Sequence, residues 1–163
     1  LRRLLPDAAA PRISAGIILS RMGRLDEAEM AFREALELDD TGDAAVKLGG
    51  LYLHQSRLHE AERVYAGGAE RHPANAELQA SLGDIYLRLG VLGAALQAAE
   101  AAVRLEPEKP LWQFHLANAY ERIDPEAAPA AWERYLELAR DESQEEERRL
   151  IATTRLVSLT RGD

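Results

Sequence analysis

The residues whose types could do chemistry are four histidines, a handful of serines and several runs of adjacent carboxylates. His54 and His59 stand five apart across an inter-helix loop. That is not the i, i+4 spacing by which two imidazoles on one helix face grip a zinc ion. Ser14, Ser20, Ser56, Ser81, Ser143 and Ser158 lie in no G-x-S-x-G setting, so none reads as an activated nucleophile. Gly83 and Gly90 do not form a phosphate loop, and no G-x-x-x-x-G-K-[ST] run exists. Asp39/Asp40 and Glu145/Glu146/Glu147 read as turn and helix-start charge rather than as an acid/base pair. With no cysteine, thiol catalysis, disulfides and Cys-ligated zinc are excluded. The sequence predicts no enzyme, no metal site and no cofactor.

Composition narrows the partners. The chain has 163 residues, 47% hydrophobic and 29% charged, enough to bury a core in one domain or one short array. The net charge of −8 leaves no basic face for phosphate neutralisation, which argues against nucleic acid. No apolar run approaches the roughly 20 residues of a membrane helix. Lys47 and Lys109 are the only lysines among 20 basic residues. This arginine bias and the Ala/Leu content suggest a GC-rich bacterial source, and a first residue other than Met suggests a piece of a longer protein.

The elements that would position any site repeat along the chain. Small residues stand at Gly16, Gly49, Gly83 and Ala117, spaced 33, 34 and 34 apart. Three more ladders keep the same phase: Ala28/Ala61/Ala95/Ala128, Phe32/Tyr65/Ala99/Trp132 and Leu36/Ala69/Val103/Leu136. Pro73 and Pro107 are 34 apart, with Pro6 one unit earlier. Within a unit the apolar residues follow i, i+3, i+4 spacing, as in Leu78, Leu82, Ile85, Tyr86 and Leu89, so the elements are helices. Gly90 stands where a left-handed glycine ends a helix, and Pro107 stops the next. Helices are predicted at 11–22, 26–38, 43–55, 59–71, 75–89, 92–105, 109–122 and 126–139, with a ninth near 144–160 and no strands. The small residues are expected to let the two helices of a unit approach closely across Ala28, Ala61, Ala95 and Ala128. Stacked units then bury what one hairpin cannot.

These ladders resemble the tetratricopeptide repeat (TPR), a 34-residue helix–turn–helix unit. The resemblance implies an all-α, right-handed superhelical solenoid of antiparallel helix pairs, about nine helices in all. It divides the chain into 1–8 (end of a preceding repeat), 9–41, 42–75, 76–109 and 110–140 (a divergent fourth repeat), and 141–163 (a cap or the start of a further repeat). Departures from the pattern carry expectations of their own. Gly67-Gly68 should weaken its helix by about 0.5–1 kcal/mol per glycine. Tyr135 replaces a small residue, so the fourth repeat is expected to splay. Ser143 with Glu146 reads as a capping box, and Glu145–Glu147 as a solvated helix start.

The family implies a concave groove lined by the first helix of each repeat, commonly holding a peptide or a partner helix. Its rows would be Ile13, Val46, Ala80, Phe114; Ile17, Gly50, Asp84, Asn118; Ser20, Leu53, Leu87, Glu121; and Arg21, His54, Arg88, Arg122, flanked by Lys47 and His115. The expected partner-binding set is Lys47, Leu53, His54, Asp84, Leu87, Arg88, Phe114, His115, Asn118, Glu121 and Arg122. Asn118 offers a donor and an acceptor to a backbone, and Arg88 and Arg122 suit carboxylates. The arginine row equally suits helix C-termini. Ile13 and Ile17 stand where the chaperone-tail-binding subgroup carries its Lys and Asn, so that carboxylate clamp is absent. The expectation is a non-catalytic scaffold for a protein or peptide partner, of a type that in bacteria often serves envelope secretion or assembly systems. Self-association through the array ends, giving a homo-oligomer, and a regulatory arm of a larger enzyme or transporter are the alternatives.

Overall fold

The structure is a computed structural model that describes residues 9–39 and 41–161. The expected repeat end at residues 1–8 lies outside them. The described residues form nine α-helices and no strands: α1 Ala9–Arg21, α2 Leu25–Leu36, α3 Asp43–His54, α4 Leu58–Arg71, α5 Ala76–Leu89, α6 Leu92–Leu105, α7 Pro110–Ile123, α8 Ala128–Leu138 and α9 Glu146–Arg161. The chain divides into two compact units, Leu1–Ser81 and Leu82–Asp163, with α5 running across the division.

The hairpin turns repeat in their chemistry. Gly23, Ser56 and Gly90 all take positive φ at the same place after α1, α3 and α5. In each case the next amide reaches back to a carbonyl of the last helical turn: Arg24 to Leu19 at 2.9 Å, Arg57 to Tyr52 at 2.8 Å, Val91 to Tyr86 at 2.8 Å. This left-handed close satisfies carbonyls that the helix end would otherwise strand. Between hairpins, side chains do the capping. Asp39 accepts from the Thr41 and Ala44 amides at 2.9 and 2.7 Å, opening α3. Asn75 accepts from the Leu78 amide at 3.0 Å and donates to the Thr41 carbonyl at 2.9 Å, opening α5.

In the first unit the small-residue ladder works differently from the expectation. A Cβ on Gly16 would stand 2.5 Å from the Phe32 ring, and one on Gly49 the same distance from the Tyr65 ring. The glycines make room for an aromatic ring four residues beyond the facing alanine. In the second unit, where Ala99 takes that place, the backbone itself comes in: a Cβ on Gly83 would lie 3.2 Å from the Ala95 carbonyl. Gly67 and Gly68 do not break α4, which is continuous. Gly68 is packed against Ala45 and Leu78, whereas nothing lies within 4 Å of a Cβ on Gly67.

The α7/α8 pair of the second unit is closely packed, not splayed. Phe114 meets Trp132 and Tyr135 edge to face, both at 5.3 Å between ring centroids, an arrangement that aromatic quadrupoles favour. Trp132 and Tyr135 are fully buried. Tyr135 fits because its hydroxyl leaves the apolar cluster and donates to Glu145 at 3.1 Å. Burial and the neighbouring Glu145 carboxylate together push the Tyr135 hydroxyl pKa well up.

Of the expectations for the C-terminal segment, the solvated helix start holds at the exposed Glu146 and Glu147 but not at Glu145, and the capping box fails. Ser143 makes no capping bond; it begins a short 3₁₀ turn, Ser143–Glu145, ahead of α9. Glu145 is buried, not solvated, and also accepts from Arg148 at 2.8 Å. The turn winds Glu145 inward to meet Tyr135. Ala152 of α9 is buried in the α7/α8 cluster with Leu156 and Leu159 against it, while Leu150, Ile151 and Val157 are exposed.

Candidate functional site

On the first unit, α1, α3 and the start of α5 border an open cleft of about 480 Å³. Ile17, Val46 and Leu51 supply apolar wall, with Phe32 and Tyr65 behind them. The two rings are there because Gly16 and Gly49 admit them, so the repeat ladder builds the cleft's back wall. Gly50 keeps the floor open, since a Cβ there would meet only the Tyr65 hydroxyl, at 3.9 Å. Arg21, Lys47 and His54 stand on the lining with Glu77, Ser20 and Ser81. Among the described residues Arg21, Lys47 and His54 make no hydrogen bond or ion pair through their side chains. Of the expected set, Lys47 and His54 are therefore brought together here. Leu53 is half-buried and does not line the cleft.

The second unit treats its expected residues otherwise: most are engaged within the fold. Asp84 accepts from or pairs with His115 Nδ1 at 3.2 Å and lies 3.6 Å from Arg88. Burial raises the Asp84 carboxyl pKa, but the His115 hydrogen bond and the His115 and Arg88 charges outweigh it, leaving it below its usual value. Asn118 donates to the Phe114 carbonyl of its own helix at 2.8 Å. Arg122 donates to the Leu87 carbonyl at 2.6 Å, near the end of α5. Glu121 pairs with Arg155 at 2.9 Å. Leu87 is 7% exposed and packs with Ala95, Ala99 and Leu116. Phe114 faces Trp132 and Tyr135, with the Arg148 guanidinium 6.0 Å from its ring. Leu87 is thus core, Phe114 is partly buried against the Trp132/Tyr135 cluster, and Arg122 serves a helix end. The physical reason is common to them: each has an intramolecular partner one repeat or one turn away that a list of outward positions does not reveal.

An ion network centred on the buried Glu29 lies on the far side of α3 and went unread in the sequence. Glu29 accepts from the Tyr52 hydroxyl at 3.0 Å, pairs with Arg33 at 2.7 Å and with Arg57 at 2.8 Å. Arg57 also lies over the Tyr52 ring, 4.3 Å from its centroid. Burial works against ionisation of Glu29, but the Arg57 and Tyr52 hydrogen bonds and the Arg33 charge hold its carboxyl below the ordinary range. The available signal was weak: a Glu four before Arg33 on α2 and an Arg at the hairpin turn. The network ties α2, α3 and the start of α4 together, which fixes the cleft's central helix. Among the described residues no group of three or more His, Asp or Glu side chains could hold a metal ion. No described helix is long and apolar enough to cross a membrane.

Solved structures share this fold. A MamA chain (41-end) from Desulfovibrio magneticus RS-1 is 26% identical, with a TM-score of 0.69 over 83% of this chain and 77% of that one. The Yersinia enterocolitica type III secretion chaperone SycD, in complex with a peptide of the translocator YopD, is 13% identical, with a TM-score of 0.68 over 72% and 91%. The first TPR of Spaghetti (RPAP3), bound to the HSP90 peptide SRMEEVD, is 23% identical, with a TM-score of 0.66 over 76% and 94%. No curated protein matches the chain in sequence. The tetratricopeptide repeat family model matches residues 13–76 and 55–110. Repeat phase, helix hairpins and family model agree, and the chain belongs to the tetratricopeptide repeat family.

Proposed function

We propose that the chain is a non-catalytic protein-interaction scaffold that holds a partner's segment in the cleft between α1, α3 and α5. One observation carries this reading: the cleft of about 480 Å³ joins an apolar wall to Arg21 and Lys47, two cations with no ion pair among the described residues. In a chain of net charge −8 such cations favour a partner that brings a carboxylate beside an apolar side chain. Chains of this fold hold partner peptides in the SycD and RPAP3 complexes, which supports a segment as the ligand. A bacterial envelope secretion or assembly system as the setting rests on family analogy. The Asp84, Arg88, Asn118 and Arg122 side chains, engaged internally, are assigned to positioning rather than first contact.

The test is capture from lysate read by quantitative mass spectrometry, with wild type beside an Arg21→Glu/Lys47→Glu variant whose helicity is checked by circular dichroism. A partner kept by wild type and lost by the folded variant supports the reading. Equal retention by both sinks it.

Self-association is the second reading, favoured by Leu150, which is 70% exposed on α9 with Ile151 and Val157. Light scattering across a concentration series, with Leu150→Glu/Val157→Glu as the control, decides it.

A further inference from the structure

On the other side of α3, between α2 and α4, the first unit has a second cleft of about 490 Å³, whose apolar lining is Leu36, Leu48 and Val64. Gly67 also lines it, in the interior of α4. The two adjacent glycines differ in what explains them. Gly68 is required by Ala45 and Leu78, and nothing in the described chain comes within 4 Å of a Cβ on Gly67. A glycine inside a helix weakens it, and at Gly67 no internal contact offsets that cost; what it leaves is open space beside α4.

Arg63 and Arg71 stand one turn before and one turn after Gly67, on the same stripe of α4. Arg63 makes no hydrogen bond or ion pair among the described residues, and its charge helps Arg57 hold the Glu60 carboxyl below its ordinary value. Arg71 spends only its Nε, on the Gly67 carbonyl at 3.1 Å. The other charges of the lining are mostly committed. Arg33 is bound to Glu29 at 2.7 Å, and Glu60 to Arg57 at 2.9 Å. Glu37 remains as the one carboxylate of the lining without a pair among the described residues.

We propose that this cleft is a second docking surface, distinct from the α1/α3/α5 cleft, for an acidic helix of a partner protein. The notch at Gly67 lets that helix approach α4 closely, with an apolar side chain on the half-buried Leu36 and Val64 above the buried Leu48. Arg63 and Arg71 are eight residues apart, roughly 12 Å along the axis at about 1.5 Å per residue. That span matches two carboxylates about two turns apart on the facing helix. Each arginine offers a planar donor fork to a carboxylate.

A displayed library of helical peptides of about 16 residues tests this with the whole chain as target and Gly67→Phe for counter-selection. The expected peptides carry Asp or Glu two turns apart around an apolar residue. They should lose about tenfold or more in affinity to Arg63→Glu/Arg71→Glu and to Gly67→Phe, and bind Arg21→Glu/Lys47→Glu as they bind wild type. Gly67→Ala serves as the folded control for the counter-selected variant, and an intermediate affinity is expected for it. Peptides without that acidic spacing, peptides indifferent to the arginine reversal, or no peptide at all would overturn the proposal. Peptides lost only with Arg21→Glu/Lys47→Glu would overturn it too, while supporting the first cleft.

Discussion

The Tyr65 ring occupies the space over Gly49: a Cβ there would stand 2.5 Å from two of its atoms. Because Tyr65 is buried, the ring has little room to withdraw. Gly49→Ala should therefore destabilise the chain by about 1–3 kcal/mol in urea unfolding. Gly50→Ala, one residue on and open above, should be neutral or slightly stabilising. Equal effects at the two positions would remove the packing account.

The same logic separates the glycines of α4. Gly67→Ala should stabilise by about 0.5–1 kcal/mol, since it gains helix propensity and meets no neighbour. Gly68→Ala would stand 2.8 Å from the Ala45 Cβ and should destabilise. Urea midpoints moving in opposite directions is the expected result.

Ser56 is the non-glycine residue with positive φ among the described residues, at +61°, in a turn position that Gly23 and Gly90 hold elsewhere. Ser56→Gly should relieve this at a gain of about 1 kcal/mol, read as a raised thermal midpoint. A lowered midpoint would mean that the serine side chain contributes more than its backbone costs.

Glu29 gives stability a pH dependence. Its carboxyl is held below its ordinary value in the folded chain. Such a group contributes stability above its unfolded pKa of about 4.3, and that contribution is lost as pH falls through the folded value. Glu29→Gln should cost about 1–3 kcal/mol near neutral pH, and the gap from wild type should close in acid. A gap independent of pH would show that packing, not charge, is what the substitution removes.

Binding through Arg21 and Lys47 should weaken with salt. Both sit at the edge of open solvent, where screening lengths shrink from about 10 Å at 0.1 M to about 3 Å at 1 M. Partner retention on immobilised chain should fall across that range. Retention unchanged by salt would point to the apolar wall as the whole of the interaction.

What the sequence determined by itself is the helical order. The 3.6-residue apolar period, the glycines near hairpin turns and the 33–34 residue ladders place all nine helices within about two residues of where they lie, the usual latitude at helix ends. These are local signals, each confined to one turn or one hairpin. It also named the outward positions Lys47 and His54, because helix phase alone decides which way they project. Tertiary structure decided whether an outward residue is available. Asn118, Arg122, Asp84 and Glu121 look alike in phase with the cleft residues, yet each meets a carbonyl or a countercharge from its own helix or from the helix two places along the chain. Leu87 is core and Phe114 is partly buried because α6 and α8 come over them. Tyr135 was read as too large, and it fits because a 3₁₀ turn ten residues later presents Glu145 to its hydroxyl. Such pairings depend on distances between elements far apart in the chain, which periodicity does not encode; a cleft exists where the folded partners leave cations and apolar wall uncovered.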